Sequence, residues 1–183
     1  ASLLIWTTTP WTLTSNVAAA VHPELEYVKV RLGEERGKGK GESGGARVVY
    51  LAKDAVPHAL KGEHEVLETV TGAQLAGRAY RGPFDELPVN ADVRHQVILW
   101  NDVAADEGTG IVHIAPGCGK EDYRLSKEQG LQIVAPIDDS GIYYDGFDWL
   151  TGMYVHEVAN PIVKNLREKE LLYRDHDFTH RYP

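Results

Sequence analysis

Residues 2–8, "SLLIWTT", are almost continuously apolar or β-branched, a pattern that predicts a buried strand ended by Pro10. "NVAAAVHP" is a short apolar run closed by a His-Pro turn, and "EYVKVRL" at 26–32 alternates as a half-buried strand does. "RVVYLAK", "QVILWND", "GTGIVHIAP" and "LQIVAPI" predict further strands, and "DAVPHAL" and "VTGAQLAG" mix short helices with strands. Helical spacing appears in "KEDYRLSKEQG", with a glycine stop, and in "HEVANPIVKNLREKE". In the latter, Pro161 is tolerable only in the first turn, where no intrahelical N–H is needed. "LLYRDHDFTHRY" closes the chain with strand-like alternation. Many unevenly spaced strands with a few helices predict an α+β fold, a β-barrel-like mixed sheet core with peripheral helices.

Glycine and charge change this picture at one place. The segment 33–46, "GEERGKGKGESGGA", cannot bury apolar surface and predicts a mobile loop at a hairpin tip. The remainder reads as one domain spanning 1–183, with Ala1 and the closing "HRYP" read as cut ends of a larger protein. At 43% hydrophobic and 25% charged, the composition is that of a globular protein, and no apolar run suits a membrane. The single cysteine, Cys118, cannot form an internal disulfide and fits a reducing, cytoplasmic setting. A net charge of −8 argues against binding nucleic acid mainly by phosphate neutralisation. It leaves room for a pocket that takes only the tip of a nucleic acid held elsewhere.

Candidate chemistry narrows by elimination. "GCGK" at 117–120 fails as a phosphate loop, because Ile114 and Glu121 stand where the motif needs Gly and Ser/Thr. His113 with Cys118 falls short of a zinc set, and "HDFTH", with His176 and His180, lacks the glutamate of a metalloprotease motif. No metal site is expected. No serine has nucleophile-elbow context, and nothing local lowers the Cys118 thiol pKa. What remains is threonines, an asparagine, a histidine and an aspartate. Such a set can bind an amine and an alcohol and position a water. On spacing alone, Asp122 also reads as an acid at a helix start and His113 as an ordinary strand histidine.

The stretch "LLIWTTTPWTLTSNVAAAVHPELEY", joined to "GTGIVHIAPGCGKEDY", resembles the inserted editing domain of isoleucyl-tRNA synthetases, the connective-peptide domain of class I synthetases. The "TTTPW" stretch favours the isoleucyl type over its valyl and leucyl relatives, and "HRYP" resembles the point of return to the catalytic domain. The resemblance implies hydrolysis of the ester of misacylated valyl-tRNA(Ile). One methylene separates isoleucine from valine, and isoleucyl enzymes are the standard case in which one apolar pocket discriminates too weakly and a second, smaller site clears the error.

The resemblance further implies residue roles. Thr7, Thr8 and Thr9 would line the wall that holds the aminoacyl ester and terminal adenosine, with Trp6 beside them. Thr8 and Asn16 match positions important for hydrolysis, Thr12 and His113 positions that limit side-chain size, and Asp122 the acid that binds the α-ammonium. The implied catalytic set is Thr8, Asn16 and Asp122, with no cofactor in this domain. The implied partners are the 3′-terminal aminoacyl-adenosine of tRNA(Ile) and the rest of the synthetase in cis, with no membrane. Thr14, Ser15 and Cys118 depart from the commoner pattern. Two alternatives stay open: a non-catalytic RNA-contacting or structural insertion, and a valyl-type domain that clears threonine.

Overall fold

The computed structural model describes residues 1–33 and 47–175. The loop expected at 33–46 thus lies, from residue 34 on, outside the described residues, as do His176, His180 and the end of the strand expected over 171–182. The described chain divides into two compact units. The first comprises Ala1–Trp6, Ala18–Tyr80 and Gln96–His113. The second comprises Thr7–Val17, Arg81–His95 and the described residues from Ile114.

The first unit is built on strands β1 (Ser2–Leu3), β2 (Ala18–Val21), β3 (Glu26–Leu32), β4 (Val48–Ala52), β5 (His64–Thr71), β6 (Gln96–Leu99) and β7 (Val112–Ile114), the last running one residue past its boundary. They form a four-stranded sheet ordered β1-β4-β3-β5 and a three-stranded sheet ordered β6-β2-β7. Both are mixed: β1 runs parallel to β4 and β2 to β6, whereas β3 is antiparallel to β4 and β5. The α+β class and mixed sheets agree with the sequence. The barrel does not close, because the strands pair in two separate sheets.

Alternation in β3 buries Tyr27, Val28, Val30 and Leu32 and leaves Arg31 exposed, with a register shift between Lys29 and Val30 that aims the two halves differently. β2, "AAAV", is wholly buried. Helix α1 (Val56–Ala59) and helix α2 (Gly72–Leu75) are single turns, the latter capped reciprocally by Thr71 and Gln74. Gly72 is required there, since a Cβ would stand 1.9 Å from the His22 carbonyl oxygen.

Tyr27 pins this unit from inside. Its hydroxyl donates to the Gly110 carbonyl at 2.8 Å and accepts from the His22 N–H at 2.9 Å. Tyr27→Phe strands both backbone groups and is expected to cost about 1–3 kcal/mol. A urea midpoint lowered with an unchanged slope would show it, and an unchanged midpoint would refute it.

In the second unit, α3 (Lys120–Gln129) and α4 (Ala159–Glu168) are the full-length helices, and both fall where the sequence places them. α3 buries Leu125 and Ser126 and ends at Gly130 with φ 67°, a left-handed cap suited to glycine. α4 carries Pro161 in its first turn and buries Ile162 and Leu166, one turn apart. These pack with Phe84, Leu87, Tyr143, Phe147, Leu150 and Val158 into one core.

Two expected strands fail here for local reasons. "LQIVAPI" forms none: Pro136 offers no N–H, and the segment pairs only as an isolated bridge from Ile137 to Tyr143, while the Gln132 side chain ties it to the backbone of Asp92 and Arg94. The opening strand stops at Leu3, apart from one bond from the Leu4 N–H to the Tyr50 oxygen. Beyond it, side-chain bonds among the threonines take over from strand pairing.

Candidate functional site

The segment after Trp6 is a turn tied by its own hydroxyls. The Thr7 Oγ1 accepts the Thr9 N–H at 3.1 Å and lies 3.3 Å from the Thr9 Oγ1. The Thr12 hydroxyl donates to the Thr9 carbonyl at 2.9 Å. Pro10 then opens a 3₁₀ helix, Pro10–Ser15, as a residue without an N–H suits a first helical position. Thr7, Thr9 and Thr12 therefore use their hydroxyls to shape the loop. Thr8 is exposed at the middle of the turn. Thr12 is 8% exposed, and with its hydroxyl turned to the backbone it contributes mainly bulk.

The 3₁₀ helix is held by a network that sequence reasoning missed. The Thr14 hydroxyl donates to the Trp11 carbonyl at 2.8 Å, and the Tyr143 hydroxyl reaches the same oxygen at 3.1 Å. Asn90 Nδ2 donates to the Thr14 and Phe84 carbonyls at 3.0 and 2.9 Å. Partners separated by 76 and 129 positions leave no local signal in sequence. Thr14, a departure from the family pattern, is thus a fully buried brace.

Asn16 ends this helix, 2% exposed, its N–H bonded to the Leu13 carbonyl at 3.2 Å. The next residue, Val17, donates to the Ile114 carbonyl at 2.9 Å. Ala115, directly after Ile114, donates its N–H to Asp122 Oδ2 at 2.8 Å. Two hydrogen bonds and two peptide links therefore join Asn16 to Asp122, across more than a hundred positions of sequence. The Ser15 hydroxyl lies beside the Cys118 sulfur, which in turn feels the Asp122 charge. Burial, and then Asp122, push the thiol pKa up to about 12, which leaves little Cys118 thiolate at neutral pH.

Asp122 is half-buried in the first turn of α3. Burial raises its pKa, the Ala115 bond opposes that shift, and Glu121 adds to it. Gly117 lets the intervening turn approach Val134 closely, because a Cβ there would stand 2.1 Å from the Val134 oxygen.

Trp6 and His113 belong to the first unit. Trp6 is 39% exposed. His113 sits half-buried in β7, where burial lowers its imidazolium pKa to about 4. The ring is neutral at physiological pH and offers shape without charge. The sign of the linkage is definite. Between about 4 and the unfolded value near 6.5 the unfolded chain binds the proton more readily. The contribution is therefore intact above about pH 6.5 and lost as pH falls toward 4, by at most about 3 kcal/mol. Thermal denaturation at pH 7 and 4.5 should show a smaller acid-induced drop in His113→Ala than in the parent. Equal drops would refute the assignment.

The second unit thus links Asn16 to Asp122 through Val17, Ile114 and Ala115, and separately ties Thr7, Thr9 and Thr12 into one turn bearing Thr8. Among the described residues no group of three or more His, Cys, Asp or Glu side chains could hold a metal ion. No helix among them is long and apolar enough to cross a membrane.

No family model matches the chain. It is 40% identical over 182 residues to the isoleucine–tRNA ligase of Methanothermobacter marburgensis, an alignment covering 98% of this chain and 16% of that protein. It is 42% identical over 185 residues to the isoleucine–tRNA ligase of Archaeoglobus fulgidus, covering 98% and 17%. It is 40% identical over 178 residues to isoleucine–tRNA ligase 2 of Bacillus cereus, covering 97% and 16%. The chain therefore spans about a sixth of the length of these relatives. Among solved structures it is similar to GlLeuRS-CP1, with a TM-score of 0.69 at 15% identity, covering 96% of this chain and 84% of that one. It is also similar to the editing domain of the P. knowlesi cytosolic leucyl-tRNA synthetase, with a TM-score of 0.51 at 15% identity, covering 70% and 51%. These likenesses establish the fold.

Proposed function

We propose that this chain, homologous over nearly its whole length to one segment of the isoleucine–tRNA ligases, is an editing domain that hydrolyses valyl-tRNA(Ile). The observation that carries the reading is the join of Asn16 to Asp122 through Val17, Ile114 and Ala115. It sets an amide and a carboxylate on a braced backbone, as recognition of an aminoacyl ester requires.

In this reading Asp122 binds the α-ammonium of the valyl group by a charge-assisted hydrogen bond and rejects ligands that lack one. Asn16 and Thr8 orient the attacking water and the ester oxygen. The water oxygen forms a bond to the ester carbonyl carbon, the ribose oxygen leaves as the alcohol, and valine departs as the acid. Thr12, its hydroxyl turned to the Thr9 carbonyl, supplies bulk that limits the space beside the side chain, the role the family resemblance gives to it and, separately, to His113. His113 is a poor base at a pKa of about 4. Catalysis therefore rests on positioning, with a free hydroxyl of the terminal ribose beside the water. The substrate's 3′-terminal adenosine is the part of the tRNA that this domain contacts. The rest of the tRNA is held by basic surfaces elsewhere in the synthetase, consistent with a net charge of −8 here.

The test is release of amino acid from valyl-tRNA(Ile) and isoleucyl-tRNA(Ile), each incubated with this chain in excess. Valine should be released well above the spontaneous rate and isoleucine close to it. Valine release at the spontaneous rate would overturn the proposal.

A further inference from the structure

The 3₁₀ helix Pro10–Ser15 runs for six residues. Runs beyond three or four are uncommon, because 3₁₀ hydrogen bonds are poorly aligned, so a longer one needs support from outside. Here the support comes from two side chains of the same unit, far along the chain. The Tyr143 hydroxyl donates to the Trp11 carbonyl at 3.1 Å, and Asn90 Nδ2 donates to the Thr14 carbonyl at 3.0 Å. These two carbonyls are one 3₁₀ turn apart, so they lie on the same edge of the helix. The second N–H of the Asn90 amide is committed to the Phe84 carbonyl at 2.9 Å. The Tyr143 ring packs edge-on against Phe147, with centroids 5.3 Å apart, in the core of the second unit. Both anchors are therefore fixed from behind. Burial pushes the Tyr143 pKa up to about 12, so its hydroxyl stays a donor across the physiological range. Thr12 lies between the two gripped carbonyls, and its own hydroxyl is turned to the Thr9 carbonyl.

We propose that Tyr143 and Asn90 are specificity-determining positioning residues, which lock the 3₁₀ helix so that Thr12 holds the bulk that excludes isoleucine in place. The proposal rests on the editing function proposed above. A sieve that must reject a single methylene works only if its wall does not yield, and a wall on an unsupported 3₁₀ helix would yield. Neither residue touches substrate in this account. The Trp11 carbonyl has a second donor, the Thr14 hydroxyl at 2.8 Å, so the grip at that end is shared between Thr14 and Tyr143.

The test measures release of valine from valyl-tRNA(Ile) and of isoleucine from isoleucyl-tRNA(Ile) by this chain in excess, with spontaneous release subtracted. Tyr143→Phe keeps the ring in the core and removes the hydroxyl, and Thr14→Val removes the other donor at nearly the same volume. Loss of folded protein lowers both rates by one factor and leaves their ratio unchanged, whereas a shifted Thr12 changes the ratio. Isoleucine release relative to valine should rise at least about threefold in Tyr143→Phe, within the roughly 10- to 200-fold that one methylene is worth. The double variant leaves the Trp11 carbonyl without either donor, so it should relax the ratio by more than the product of the two single effects. An unchanged ratio in Tyr143→Phe, or a double variant no more relaxed than that product, would overturn the positioning role while leaving the editing function standing. A parent that releases no valine would overturn the editing function and the positioning role with it.

Discussion

Asp122→Asn will keep the domain folded and lose most hydrolysis of valyl-tRNA(Ile). The two functions of this carboxylate can be separated because one of its oxygens is already committed. Oδ2 accepts the Ala115 N–H at 2.8 Å, and an asparagine carbonyl can take its place. Asparagine cannot supply the charge that an α-ammonium needs, so an ionic hydrogen bond worth about 1.5–3 kcal/mol is lost, roughly 10- to 150-fold in kcat/KM. Asp122→Ala removes both functions and should also lower stability.

Proton linkage sharpens the contrast. Burial raises the Asp122 pKa, so the folded state holds the proton more readily than the unfolded chain. The stability this group contributes is present at low pH and lost as pH rises through its raised pKa. At neutral pH Asp122→Asn should therefore be at least as stable as the parent while losing most of its hydrolysis. Ammonium binding needs the carboxylate, so the parent's activity should fall on acidification at a higher pH than an ordinary aspartate would dictate. Deacylation rates across pH 4–8, with denaturation of both variants, would decide it. Near-parental hydrolysis by Asp122→Asn would refute the ammonium assignment.

His113→Ala should release isoleucine from isoleucyl-tRNA(Ile) that the parent leaves intact. The ring is neutral at physiological pH, so its removal opens volume without deleting a charge. A pocket that excludes one methylene discriminates by only about 1–3 kcal/mol, so the gain on the isoleucyl ester should reach roughly 10- to 100-fold. Valyl ester hydrolysis should change much less. Exclusion by a neutral ring should also be constant from pH 6 to 8. If His113→Ala spares isoleucyl-tRNA(Ile) as the parent does, His113 is not the gate.

Elements whose pattern is local were legible in the sequence. α3 announced itself by its acidic first turn and its Gly130 stop, α4 by Pro161 in its first turn, and β3 by its alternation. "LQIVAPI" misled because its apolar residues satisfy the strand pattern, whereas its backbone pairs with another segment only near Pro136 and Ile137 as an isolated bridge. The threonines were legible as a cluster but not in their division of labour. Which hydroxyl turns inward depends on a turn geometry that composition does not encode. The Thr14–Tyr143–Asn90 brace was invisible for a different reason, since no short-range periodicity relates its members.

The division into two units has a consequence for how such a segment can be inherited. The chain passes from one unit to the other after Trp6, Val17, Tyr80, His95 and His113, so neither is a continuous stretch. No single truncation yields either one whole, and no duplication of half the segment would copy a working piece. Recombination that broke the segment anywhere between Trp6 and His113 would divide the first unit. The segment is therefore transferable only entire, as one cassette.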